Sequence, residues 1–223
     1  MVAYDAWWKV AVAIFKPLLR LGYRWRFAGL EFLPAEGPAI LASNHISVVD
    51  PFGIALAATR RHRAVRYLGA AELFDRAFTG FVLRRLRQIR IRRGAHDLLA
   101  WEEARRALAN QELVGIFPEG RVGDGSSLLR GHTGAARLAL ASRVPVIPVG
   151  IWGTQRRWPR SGLRFNLPLR PRATVVLGEP IVPSGDPTSP EDVHRLTDLV
   201  MAAVQRLVAT ELREDTEGGH GLD

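Results

Sequence analysis

Asn44-His45 and, after four intervening residues, Asp50 stand in the stretch LASNHISVVDPFG, residues 41–53. An imidazole and a carboxylate at this spacing suit proton chemistry. The acid orients the ring, favours the tautomer with a free nitrogen lone pair, and stabilises the imidazolium once the ring has taken a proton. The same acid also has a structural reading. Asp50 precedes Pro51, which disfavours helical geometry at Asp50 and suits the first position of a helix, so Asp50 reads as an N-cap. The two readings are compatible, because a capping carboxylate is fixed and can still accept a bond from the ring.

Three further stretches carry residues able to bind anions or move protons. In RQIRIRRG, residues 87–94, period-two alternation puts Ile89, Ile91 and Arg93 on one strand face. Arg93 ends that face, where an apolar floor meets an opening, and a half-buried arginine calls for an anion. Arg85, Arg87, Arg90 and Arg92 read as solvated or membrane-facing surface. In FPEGRVGDGSSLLRGHTG, residues 117–134, Glu119, Gly120 and Arg121 share a tight turn that offers an acceptor beside a phosphate donor. Pro-Glu-Gly alone is an ordinary turn, and GDG is no dinucleotide fingerprint. Arg130 and His132 lead into a Gly-rich helix start whose N–H groups can face an anion. In VPVIPVGIWG, residues 144–153, two prolines interrupt an apolar run. That argues against an ordinary central strand and for a kinked or edge strand beside a cleft, or for plain core.

Alternating units position these residues. PAILAS, AVRYLGA, RQIRIRR, ELVGIF, VPVIPVGIWG and ATVVLGEPI read as strands. PFGIALAATRR, the piece from Glu72 to Phe81, HDLLAWEEARRALAN, GAARLALAS and the run from Ser189 to Leu212 read as helices, the last with Ser189 as N-cap and Pro190 in its first turn. Such alternation predicts a single α/β domain with a mostly parallel central sheet flanked by helices, whose ligands gather at the carboxyl ends of the strands. Trp7, Val10, Ile14 and Leu18 recur at helical spacing, with Trp8, Lys9 and Lys16 toward other faces. This pattern suits an amphipathic helix lying in a membrane interface, or one docked on the protein's own core. Lys9, Lys16, Pro17 and Arg20 break the segment well short of a membrane span. The expected division is an interfacial helix over 1–28, the α/β domain over 29–212 and a disordered tail over 213–223.

Composition narrows the chemistry. The 223 residues contain no cysteine, which excludes disulfides, thiolate metal sites and cysteine nucleophiles. The histidines are scattered and no H-E-x-x-H occurs, so no metal site is expected. A formal charge of +9, nearly all from arginine, points to anionic partners such as phosphate-bearing molecules or acidic lipid. Arginine-rich codon usage would produce the same charge. No helix-turn-helix, zinc or other nucleic-acid signature is present, so no nucleic-acid partner is expected.

His45 and Asp50, preceded by Asn44, resemble the H-x-x-x-x-D signature of the glycerolipid acyltransferase family, the family of 1-acylglycerol-3-phosphate acyltransferases. Phe117-Pro118-Glu119-Gly120 resembles its F-P-E-G block and VPVIPVGI its closing proline-containing block, while Arg93 matches the arginine that ends another of its blocks. The four follow the family's order between Asn44 and Ile151. Arg87 stands where that family usually has glycine, and Arg121 follows Gly120 directly where Thr-Arg is common; both positions belong to regions that handle the acceptor. The resemblance implies transfer of a fatty acyl group from an acyl thioester, carried by coenzyme A or acyl carrier protein, to a hydroxyl of glycerol 3-phosphate or lysophosphatidate in phospholipid biosynthesis. His45 would be the general base and Asp50 its orienter, with Arg93, Glu119, Gly120 and Arg121 around the acceptor phosphate and no cofactor. The implied location is peripheral, on the cytoplasmic face of the cell membrane, against an anionic surface. A thioesterase using water, or a non-catalytic membrane- or nucleic-acid-binding module, is the alternative.

Overall fold

The first helix, α1 (Ala6–Gly22), ends before the apolar pattern does. Arg24–Ala28 is a strand, β1, so the helix expected over 1–28 is corrected at its end. The reason is a change of period. Trp25 and Phe27 alternate with Arg24 and Arg26, which turns both aromatic rings to one face of a sheet, where they pack on its core. The computed structural model describes residues 6–92, 97–164 and 170–217.

The rest follows the alternation: β2 (Ala39–Ser43), α2 (Asp50–Ala58), β3 (Val65–Ala70), α3 (Ala71–Phe74), α4 (Ala77–Arg85), β4 (Ile89–Ile91), α5 (Leu98–Ala109), β5 (Leu113–Ile116), α6 (Gly134–Ser142), β6 (Val146–Trp152), β7 (Arg172–Leu177) and α7 (Pro190–Glu217). The seven strands form one sheet in the order β1-β7-β6-β2-β5-β3-β4. Every neighbouring pair is parallel except β6 with β7. β2 is buried at all five residues, as a strand covered on both faces must be. One face carries α5, α6 and α7 over Ile40, Ala42, Val114 and Val146. The other carries α2 over Leu41, Ile147, Val149 and Ile151.

Two expectations about the elements change. β6 lies inside the sheet, between β2 and β7, although it contains Pro148. The missing N–H is accommodated because the ladder with β7 is irregular there. Val146 exchanges hydrogen bonds with Ile181, Gly178 donates to the Pro148 carbonyl, and the regular β7 register begins only at Val149. At the other end, α7 continues to Glu217, into the tail expected to lack order; residues 218–223 lie outside those described. Ser189 does cap α7, its hydroxyl accepting from the Asp192 N–H at 3.3 Å.

Candidate active site

The carboxyl ends of β5, β2 and β6 lie side by side, with Ala42 opposite Ile116 and Ser43 opposite Val149. The chain leaves β2 in one direction to reach β3 and later fills the other side with β6, and such a switch in strand order opens a crevice above the strand ends. Asn44, the first residue past β2, uses its side-chain amide as a second backbone. Its Oδ1 accepts from the Ile151 N–H at 2.8 Å and its Nδ2 donates to the Ile151 carbonyl at 2.9 Å. This buried pair extends the β2–β6 ladder by one step and fixes where His45 begins.

His45 is held from all sides but one. Its N–H donates to Glu119 Oε1 at 2.8 Å and its carbonyl accepts from the Gly123 N–H at 2.7 Å. The ring lies nearly parallel to Phe117, with centroids 4.0 Å apart. Nδ1 is 2.9 Å from Asp50 Oδ2. The same oxygen accepts from the N–H groups of Ile46 (2.7 Å) and Ser47 (2.8 Å), and Oδ1 accepts from the Thr154 hydroxyl at 2.6 Å. The other three contacts of Asp50 all donate to it, an arrangement that suits the neutral imidazole tautomer with its proton on Nδ1 and its lone pair on Nε2. Asp50 is fully buried, whereas the His45 side chain is 16% exposed. A sealed acid behind a reachable imidazole is an arrangement for general-base chemistry.

Asp50 is not the N-cap expected from Pro51. It is the first residue of α2, and its carboxylate turns back to the preceding loop rather than forward to the helix N–H groups. Val49 precedes the helix, its carbonyl accepting from Phe52 and Gly53. Thr154 is in turn fixed by Tyr23, whose hydroxyl donates to the Thr154 carbonyl at 3.0 Å. Burial, and then the charge of Asp50, push the Tyr23 and Tyr67 hydroxyls above the ordinary phenol range. The Tyr67 hydroxyl is buried with no hydrogen-bond partner among the described residues. Its ring stacks on Phe117 and covers Gly115, where a Cβ would come within 2.3 Å of it.

The anticipated acceptor residues fall into three groups. Glu119 is buried under the site, with Oε1 taken by His45 and Oε2 by the Leu129 N–H at 2.9 Å. It ties the loop that carries His45 to the 121–129 loop. Burial raises its pKa, and the two N–H donors offset part of that rise. Gly120 has φ of +69°, which a side chain disfavours, and lies against the His132 ring. Arg121 and Arg130 are exposed and have no carboxylate partner among the described residues. Arg93 lies outside the described residues. Sequence reasoning missed Thr154 and Tyr23, as well as Ser47, whose hydroxyl donates to the Trp158 carbonyl at 2.6 Å, and it named Phe117 only as part of the F-P-E-G block, not for its stacking on His45. Thr154 follows a strand end in Gly-Thr-Gln, which reads as a plain turn.

An uncharacterized protein of Mycobacterium tuberculosis is 28% identical over 87% of the chain, which spans 64% of that relative's length. The mouse 1-acyl-sn-glycerol-3-phosphate acyltransferase alpha is 27% identical over 90% of the chain and 67% of its own length. In fold, the chain is similar to the crystal structure of the 1-acyl-sn-glycerophosphate acyltransferase PlsC from Thermotoga maritima, with a TM-score of 0.68 and 24% identity, over 95% of this chain and 84% of that one. The sequence profile of the acyltransferase family matches residues 24–152, from β1 to the end of β6, and so spans every residue that holds His45 and Asp50 except Tyr23 and Thr154. That span is more than half of the sequence, and the chain belongs to the acyltransferase family.

Proposed function

We propose that the chain transfers a fatty acyl group from an acyl thioester to a hydroxyl of a glycerol-phosphate acceptor, lysophosphatidate or glycerol 3-phosphate. The observation that carries this reading is His45, its Nδ1 bonded to a sealed, four-fold-bonded Asp50 and its Nε2 without a hydrogen-bond partner among the described residues. Nε2 takes the acceptor's hydroxyl proton as that oxygen attacks the thioester carbonyl. When the tetrahedral adduct collapses, the C–S bond breaks and the imidazolium returns the proton to the leaving thiolate. A positioned base of this kind contributes about 10²–10⁴ in rate. Asp50 keeps the ring in the required tautomer and balances its transient charge. No covalent enzyme intermediate is required, and the donor thioester, on coenzyme A or acyl carrier protein, is a co-substrate rather than a cofactor. Arg121 and Arg130, which have no carboxylate partner among the described residues, offer guanidinium forks suited to the acceptor phosphate, with Arg93 the further candidate. Glu119 and Gly120 shape the loop that carries Arg121.

A peripheral place on the cytoplasmic face of the membrane belongs to the same reading. No helix among the described residues is long and apolar enough to cross a membrane. Trp7, Val10, Ile14, Leu18 and Leu21 of α1 face outward, while Trp8 is buried against the domain and Phe15 packs on Phe52. The apolar stripe is thus not consumed by the core. The names of the mouse and human relatives, 1-acyl-sn-glycerol-3-phosphate acyltransferase alpha, favour lysophosphatidate as acceptor. The experiment is product analysis with labelled palmitoyl-coenzyme A in detergent, run with lysophosphatidate, with glycerol 3-phosphate and with no acceptor. Labelled phosphatidate or lysophosphatidate is the expected product, and Arg121→Ala should raise the acceptor concentration needed. Free palmitate released without an acceptor would make the chain a thioesterase.

A further inference from the structure

Helix α4 presents two phenylalanines to solvent, Phe81 and Phe78, the latter 77% exposed. Neither belongs to the site around His45. Phe81 meets Trp7 of α1 edge-on, with ring centroids 6.0 Å apart and planes at 87°. The Arg85 guanidinium lies over both rings, 4.9 Å from Trp7 and 5.3 Å from Phe81. The outward stripe of α1 therefore continues onto α4, and one cation fastens the two helices together. Neither helix contains an acidic residue. Between them they carry Lys9, Lys16, Arg20, Arg84 and Arg85.

We propose that α4 is a second membrane-contact element. Phe78 and Phe81 enter the boundary between head groups and acyl chains, and Arg84 and Arg85 meet anionic head groups, so that α1 and α4 act as one face. Aromatic rings beside basic side chains, with no acid among them, match an anionic bilayer in both polarity and charge. A second copy of this chain fits poorly, because the two helices carry basic residues and no acid to pair with those of the other copy. The proposal rests on the membrane reading of α1 and adds an element distant from it in sequence.

The test is co-sedimentation of the full chain with vesicles of equal parts phosphatidylglycerol and phosphatidylcholine, and with phosphatidylcholine alone. Phe78→Asp replaces an exposed ring that makes no ring contact among the described residues by a charge, so folding is not at risk. It should lower partitioning onto the anionic vesicles by about ten-fold or more, while turnover of detergent-dispersed substrate is unchanged. Leu199→Asp on exposed α7 should leave partitioning as it was. If Ile14→Asp in α1 abolishes vesicle binding and Phe78→Asp does not, the role of α4 is overturned and the membrane reading of α1 survives. If neither substitution matters, both are overturned. A dimer of the unsubstituted chain that Phe78→Asp dissolves would also overturn the proposal, by showing that a second copy covers this face.

Discussion

At the scale of single residues, the carboxylates divide the labour. Asp50 serves the His45 ring and Glu119 serves the His45 backbone, although both stand out in the sequence as acids beside catalytic chemistry. Glu119→Gln retains one carbonyl oxygen but presents an NH₂ to the second N–H, so one buried backbone donor loses its acceptor. The expected loss of stability is about 1–3 kcal/mol, measured by urea unfolding. Folding raises the Glu119 pKa above the ordinary 4.5. A carboxyl raised in this way subtracts stability above its folded pKa and none below its unfolded one. The gap in stability between the parent chain and Glu119→Gln should therefore widen as the pH falls from neutral toward 4.5, and a gap independent of pH would contradict the assignment. Thr154 acts on the ring through Asp50. Thr154→Val should lower kcat with little change in KM and Thr154→Ser should restore it; an equal loss in both variants would mean that the hydroxyl is irrelevant.

At the scale of elements, the alternation of strands and helices and the four motif-bearing strand ends were legible, because each is a local pattern. What escaped has physical reasons. β1 is short and abuts an apolar helix, so its period-two signal covers only Arg24–Ala28. The Thr154–Asp50 bond joins residues 104 positions apart, beyond the reach of any local pattern. The helix-start reading of Asp50-Pro51 was sound for the chain direction but could not show that the carboxylate turns backward, since its partners come from the preceding loop and from Thr154 in the turn after β6. Asn44 couples two such elements. Asn44→Ala would leave the buried N–H and carbonyl of Ile151 unmatched, with an expected cost of about 2 kcal/mol or more. Thermal unfolding would show this, and a midpoint equal to that of the parent chain would deny that the amide holds β2 to β6.

At the scale of the whole molecule, the charge of +9 is not uniformly available. Arg66 is buried between Glu103 and Glu112, and Arg26 pairs with Glu211. These arginines serve the fold, whereas α1 and α4 carry cations and no acidic residue. Screening shortens the reach of such charges to about 10 Å at 0.1 M salt. Binding to anionic vesicles should therefore weaken as salt is raised and leave a residual apolar component. Binding wholly insensitive to salt would remove the cations from the interaction.

The central claim is that His45 is the base, and the most direct measurement is acceptor-dependent thiol release by His45→Ala beside the parent chain, with circular dichroism confirming that both are folded. His45 as base predicts a loss of about 10²–10⁴ in turnover at saturating acceptor. Turnover close to that of the parent chain, from folded protein, would contradict it.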